Sequence, residues 1–367
     1  MKVFPLARVF MLAAMLIVAA SCMAEPTDSI SPKKERKGLI GFIKKAFHFL
    51  SDIDTSYIEP QHYNFAVMLQ ATQPIDFRTL TTRGDDSREI RLSPKGKLRI
   101  GPYGGWRWLF AGYTFDVTQI RITSDVTDIN FCLYATPGGI DLFYRRTGTD
   151  CKIMKLKLGE GIDTRRLVNQ DFGGFKIGSI GFNAYYLFNH ERFSYPAAFN
   201  QSTCQKVSCG SWMVGLGYTN NTMTFDEQAL QKLLASYPET ADVASDDRMK
   251  FEGVKYHSVS LSGGYAYNWV FAKRWLMGAS LQLAMAYKKN YSGLREGSFI
   301  RHFNLDAVGR FGVVYNNVRW FAGLSTILYV NNYRQSQFFV NNTFGSINLY
   351  VGYNFGLRSK YKKQKKT

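Results

Sequence analysis

The chain has 367 residues, 46% of them hydrophobic and 15% aromatic, at a mean hydropathy of −0.20. After the N-terminus no apolar run reaches the roughly 20 residues that a membrane-spanning helix needs. The formal charge is +18, but residues 33–45 carry six cations against Glu35 and residues 358–367 carry six cations and no acid. A nucleic-acid binder is expected to hold its basic stripe on the folded domain, among stacking aromatics, so this distribution speaks against nucleic acid as a partner.

Residues 1–24 read as a signal peptide. Lys2 and Arg8 form the basic region, residues 9–20 the apolar stretch, and Cys22-Met23-Ala24 a small-residue cleavage site. Ala20-Ser21-Cys22 is also similar to a lipobox, with Ala19 at its usual leucine position, so lipidation at Cys22 stands beside ordinary cleavage. Residues 25–52 form a linker and a basic amphipathic helix on the periplasmic side. Over residues 37–50, Leu39, Ile40, Phe42, Ile43, Ala46, Phe47, Phe49 and Leu50 oppose Gly41, Lys44, Lys45 and His48. Export permits disulfides, and Cys204 and Cys209 enclose only four residues. No Cys/His spacing matches a zinc site, and no cofactor is implied.

Residues 53–357 carry the period of two that marks strands with one apolar and one polar face. The pattern is clearest in the last third. Val259, Leu261, Tyr265, Tyr267, Trp269 and Phe271 alternate with Ser260, Ser262, Gly264, Ala266 and Asn268. Leu281, Leu283 and Met285 alternate with Ser280, Gln282 and Ala286, and Ile347, Leu349, Val351, Tyr353 and Phe355 with Ser346, Asn348, Gly352 and Asn354. Apolar faces that end in aromatics, opposite small polar faces, are the pattern of a transmembrane antiparallel up-and-down β-barrel. A chain that crosses lipid without helices must close its own backbone hydrogen bonds in this way.

About twelve strands are expected, with ten and fourteen as the neighbouring counts: 63–82, 88–104, 105–117, 128–136, 139–148, 176–188, 209–219, 253–269, 274–289, 298–315, 318–332 and 343–357. Tight turns fall at Gly104-Gly105, Pro137-Gly138, Ala272-Lys273 and Asn316-Asn317, and longer links separate them. Two links fit poorly. Residues 83–87 are short for an external loop, and 189–208 are long for a periplasmic turn. Further short strands fit there or within 152–158. Residues 358–367 read as a free basic tail.

In this register Asp116, Asp141, Arg145, His302, Asn304, Asp306, Arg310 and Arg319 face inward and line the lumen. Mixed acid and base inside a barrel form either a closed salt-bridge plug or a polar passage, since lumen residues tune selectivity. Inward Phe321, Ile327 and Tyr350 favour a narrow or filled bore. Enzyme chemistry finds little support. His257-Ser258 cannot pair simply, because neighbours on a strand point to opposite faces, and Asp85-Asp86 sits in an ordinary polar turn.

Several stretches carry a resemblance. These are Asp54-Thr55-Ser56-Tyr57-Ile58, Gly101-Pro102-Tyr103-Gly104-Gly105-Trp106-Arg107-Trp108 with Gly112-Tyr113, Phe193-Ser194-Tyr195-Pro196-Ala197-Ala198-Phe199, and Gln205-Lys206 with Ser208, Gly210 and Ser211. They resemble a family catalogued as domain of unknown function 4421, over about residues 50–357. The resemblance implies an outer-membrane β-barrel of a Gram-negative envelope and brings no catalytic residues.

The expected function is therefore a non-enzymatic narrow channel or a structural, surface-interacting barrel. A lipid-modifying barrel enzyme and an accessory subunit of an envelope or secretion complex are the alternatives. Expected partners are lipopolysaccharide and phospholipid, with the barrel-assembly machinery during biogenesis.

Overall fold

A computed structural model describes residues 53–82, 88–95, 98–106, 109–112, 115–117, 127–146, 151–243, 254–290, 303–334 and 338–364. The expected signal peptide, linker and amphipathic helix lie outside these residues, as do His302, the Asp85-Asp86 turn and residues 365–367. The strands are β1 (Ile58–Pro60), β2 (Tyr63–Thr82), β3 (Glu89–Pro94), β4 (Arg99–Trp106), β5 (Leu109–Gly112), β6 (Phe115–Asp116), β7 (Thr127–Ala135), β8 (Gly138–Arg146) and β9 (Cys151–Lys157). They continue with β10 (Asp171–Phe172), β11 (Phe175–Leu187), β12 (Thr203–Gln205), β13 (Cys209–Phe225), β14 (Val254–Ala272), β15 (Trp275–Asn290), β16 (Phe303–Asn316), β17 (Trp320–Arg334) and β18 (Phe338–Leu357). Three short helices are α1 (Tyr195–Phe199), α2 (Glu227–Ala235) and α3 (Ser359–Gln364).

Sixteen strands form one sheet, in the order β10-β9-β3-β2-β18-β17-β16-β15-β14-β13-β11-β8-β7, with β4 on β2 and β5 and β6 on β4. From β13 to β18 consecutive strands pair antiparallel, and β18 then returns to β2 in register from Phe338–Thr82 to Leu357–Tyr63. This return of β18 to β2 is the strand order of an up-and-down barrel, although the hydrogen-bonded ring is not closed among the described residues. Among the described residues no ladder joins β5 or β6 to β7.

The strand number among the described residues exceeds the expected twelve: two expected spans each contain more than one strand, and a loop contributes strands of its own. Residues 88–104 divide into β3 and β4, which pair with opposite halves of β2. Residues 105–117 hold β5 and β6, and β4 runs through the expected Gly104-Gly105 turn to Trp106. The expected loop 149–175 supplies β9 and β10, with β9 laid on β3.

The distribution of side chains is inside-out. Leu261 is 59% exposed and Leu349 60%, whereas the inward Asn268, Gln282 and Arg310 are buried. The contiguous exterior formed by Val259, Leu281, Leu283, Met285, Leu305 and Val351 is far beyond the scattered apolar exposure of a soluble surface. At the short-turn end aromatic pairs form a girdle, with ring centroids 5.1 Å apart for Trp212–Tyr265, 5.3 Å for Trp275–Tyr315 and 4.6 Å for Trp320–Tyr353. The fold is a transmembrane β-barrel by this face. Two tight turns of that end use left-handed residues, Arg274 at φ 69° and Val318 at φ 73°.

Part of the expected free tail is ordered. The Arg358 amide donates to the His62 carbonyl at 2.9 Å, and the Tyr361 ring lies 4.0 Å from that of His62. The tail thus turns back as α3 beside the start of β2.

Candidate functional site

The bore itself is the candidate site, and its contents are built from three levels of the chain. At the short-turn end, the link 189–208 between β11 and β13 does not hide membrane-spanning strands. It folds inward as α1 and β12, and β12 pairs with β1. α1 starts where the sequence supplies a cap and a proline: the Ser194 hydroxyl accepts from the Ala197 amide at 3.3 Å, and Pro196 occupies the first turn. Phe193, Tyr195, Ala197 and Ala198 are all buried.

Barrel residues grip this plug through its backbone and its polar tips. Asn268 donates to the Ser194 carbonyl at 2.7 Å. Gln201 donates to the Tyr350 hydroxyl at 2.6 Å, and Asn316 to the Gln201 carbonyl at 3.3 Å. Two glycines let the plug come close. A Cβ at Gly278 would stand 2.5 Å from the Ala198 Cβ, and one at Gly312 3.1 Å from the Ala198 carbonyl oxygen. A salt bridge of 2.5 Å between Arg274 and Glu59 ties β1 to the barrel turn.

In the middle, Asp141 on β8 and Arg310 on β16 form a buried ion pair across the bore. The same guanidinium donates to the Tyr195 hydroxyl at 2.7 Å, and that hydroxyl also bonds Ser280 at 2.8 Å. Removing two charges from water is costly, and geometry that satisfies the remaining groups is what makes such a pair tolerable. Aromatic contacts cross at the same level: Phe143 of β8 lies 6.0 Å from both Tyr329 and Phe344.

At the long-loop end an apolar cluster spans the bore. Inward Leu80, Ile177, Met223, Val254, Tyr333 and Val340 come from strands on both sides, and Leu92, Ile153, Leu156, Leu230 and Leu234 fill the space between them. α2 delivers the last two, starting at Asp226, whose carboxylate accepts from the Ala229 amide at 3.0 Å.

The residues expected to line the lumen divide into groups. Asp141 and Arg310 meet each other, and Arg145 lies over the Phe344 ring at 4.6 Å. Asp306 and Asn304 have a different task. The β16–β17 ladder ends at Ala307–Val330. Beyond it the Asp306 carboxylate accepts from the Asn332 amide at 2.8 Å and the Asn304 side chain from the Arg334 amide at 3.1 Å. Lys288, which sequence reasoning passed over, donates to Asp306 at 2.8 Å and is buried. Its neighbour Lys289 is outward, and the alternation alone would have separated the two. Asp116 ends β6 opposite Arg99 in the register, and His302 lies outside the described residues.

Arg319 is not in the lumen. Its guanidinium is exposed and donates to the hydroxyl of Tyr353, on the outer face, at 2.6 Å. The expectation carried the strand alternation back through a turn in which Val318 is left-handed, and a left-handed residue breaks that alternation.

Cys204 and Cys209 are free thiols. Burial pushes the Cys204 thiol up to about 12, which keeps it protonated and unreactive. Among the described residues no three His, Cys, Asp or Glu side chains gather as a metal-binding group.

Comparison with known proteins gives a family and distant structural likenesses. No curated protein matches. Solved structures include the outer membrane protease OmpT of Escherichia coli, at 7% identity and a TM-score of 0.34 over 80% of this chain and 97% of that one. The transport unit of the Escherichia coli autotransporter AIDA-I follows at 9% identity and a TM-score of 0.29, over 92% and 97%. The P. putida toluene transporter TodX has 8% identity and a TM-score of 0.21, over 80% and 91%. At these scores the activities of those proteins say nothing about this chain. The match that decides the family runs over residues 52–355, from the segment that precedes β1 almost to the end of β18, and the chain belongs to the family described as Domain of unknown function (DUF4421).

Proposed function

We propose that this chain is a stoppered outer-membrane barrel: a non-enzymatic envelope protein, closed to solutes at rest, that serves as a structural or surface-interacting scaffold rather than an open pore. The observation that carries this reading is the plug, with Tyr195 bonded to the cross-bore Asp141–Arg310 pair and an apolar cluster beyond it. An open pore needs a continuous polar path, and here plug, ion pair and apolar layer lie in series. The short-turn end faces the periplasm and the long-loop end faces outward, as in barrels of this type. The exterior then meets lipopolysaccharide and phospholipid, and the last strand meets the assembly machinery.

Single-channel recording in planar bilayers tests the reading. The full chain is expected to insert without discrete conductance steps. Regular steps from the wild-type protein would overturn the proposal in favour of a channel.

A further inference from the structure

Beneath the apolar cluster the bore holds polar atoms that no described side chain satisfies. Arg78 on β2 is 2% exposed. Its Nη2 donates to Asp76 at 3.0 Å, while its Nε and Nη1 have no acceptor. Directly opposite in the β2–β18 register stands Asn342, also 2% exposed, whose side-chain oxygen is likewise unpartnered. These two residues are register neighbours on adjacent strands and both are buried, so their unmet groups lie close together.

A second guanidinium reaches the same place. Arg145 lies 4.6 Å over the Phe344 ring and Arg78 5.7 Å over it. The two arginines belong to β8 and β2, and the Arg145 charge acts on Arg78 together with that of its salt-bridge partner Asp76. Asp128 stands opposite Arg145 in the β7–β8 register, so the inference rests on Arg78. Buried charged donors left without acceptors are costly, and like charges in a low-dielectric interior repel. An oxyanion removes both penalties. Its oxygens accept from one edge of the Arg78 guanidinium, where Nη1 or Nε stands beside the Nη2 proton that Asp76 does not take. The Asn342 amide, whose oxygen and nitrogen are assigned by hydrogen bonding alone, can turn its NH2 toward the same anion.

We infer that Arg78, Asn342 and Arg145 form a lumenal binding site for a small oxyanion, a phosphate or a carboxylate group. The site does not depend on whether the bore conducts.

Isothermal titration of the full chain in detergent micelles tests this. Inorganic phosphate and acetate are titrated separately at constant ionic strength, with chloride as the control. One saturable site is expected for phosphate or acetate, and the stronger of the two names the class. Arg78→Lys keeps a cation beside Asp76 but lacks the fork, and roughly tenfold or more weakening is expected from losing a charge-assisted bond. Should that variant fail to fold, thermal unfolding of the wild-type barrel gives an independent readout: its midpoint rises with the bound anion and not with chloride. Absence of saturable binding and of any anion-specific rise would mean that the site holds water, and the inference falls. Unchanged binding in a folded Arg78→Lys variant would equally overturn it.

Discussion

The Arg310 guanidinium donates to the Tyr195 hydroxyl at 2.7 Å while it holds the Asp141 carboxylate. One arginine therefore joins a residue of the inward-folded link 189–208 to β8 and β16. Tyr195→Phe removes the acceptor and the bond to Ser280 but keeps the ring packing against Tyr185 and Phe199. We expect a loss of about 1–3 kcal/mol, the cost of leaving buried partners unmade, read by urea unfolding of the barrel in detergent.

Breaking the ion pair on one side should cost more. Asp141→Leu or Arg310→Met alone leaves an uncompensated buried charge and is expected to destabilise by about 3–5 kcal/mol. The double variant should recover most of that loss, since an apolar replacement of a whole buried pair is often neutral. Additive losses in the double variant would mean that the two residues act separately.

Gly278 is the close contact that lets the plug seat. Gly278→Ala places a Cβ 2.5 Å from that of Ala198, so the plug must shift, and Ala198→Gly should restore it. Maleimide modification of Cys204, quantified by mass spectrometry of its peptide, is the readout. The buried wild-type thiol is expected to react slowly, the Gly278→Ala thiol faster, and the double variant as slowly as wild type.

The exterior makes a depth-dependent prediction. Leu283→Arg, in the middle of the exposed face of β15, is expected to cost about 2–4 kcal/mol in lipid, and Phe303→Arg, on the exposed face at the long-loop end of β16, about 0–1 kcal/mol. Equal costs at both positions would mean that the face does not span a bilayer.

How much of this was legible follows from periodicity. The strands β14 to β18 could be read from alternation because each is long and has one lipid face. The same rule placed Asp141 and Arg310 inside but could not say that they meet, because contact across a bore depends on which strands stand opposite each other. The plug was legible only as a misfit. Residues 193–199 are apolar without a period of two, and a five-residue helix is too short to show its own period. The stretches of the family resemblance at 54–58, 193–199 and 205–206 now have a common location, since β1, α1 and β12 build the stopper together. Lys288 was missed although the alternation of β15 turns it inward with Gln282 and Ala286; its partner Asp306 is apparent only once the strands are placed side by side. Arg319 was misplaced because a left-handed residue within a turn cannot be read from the residue type when that residue is valine.

Thiol accessibility of the link tests the central claim most directly. Ser194→Cys places a near-isosteric thiol in the buried plug, and Val207→Cys places one at a position that is 45% exposed. With the full chain reconstituted in bilayers, a membrane-impermeant maleimide is applied to both sides. Val207→Cys is expected to be labelled, and Ser194→Cys is not until urea unfolds the barrel. Labelling of Ser194→Cys at the rate of Val207→Cys in the folded protein would contradict that claim, because residue 194 would then lie in water and not inside the barrel.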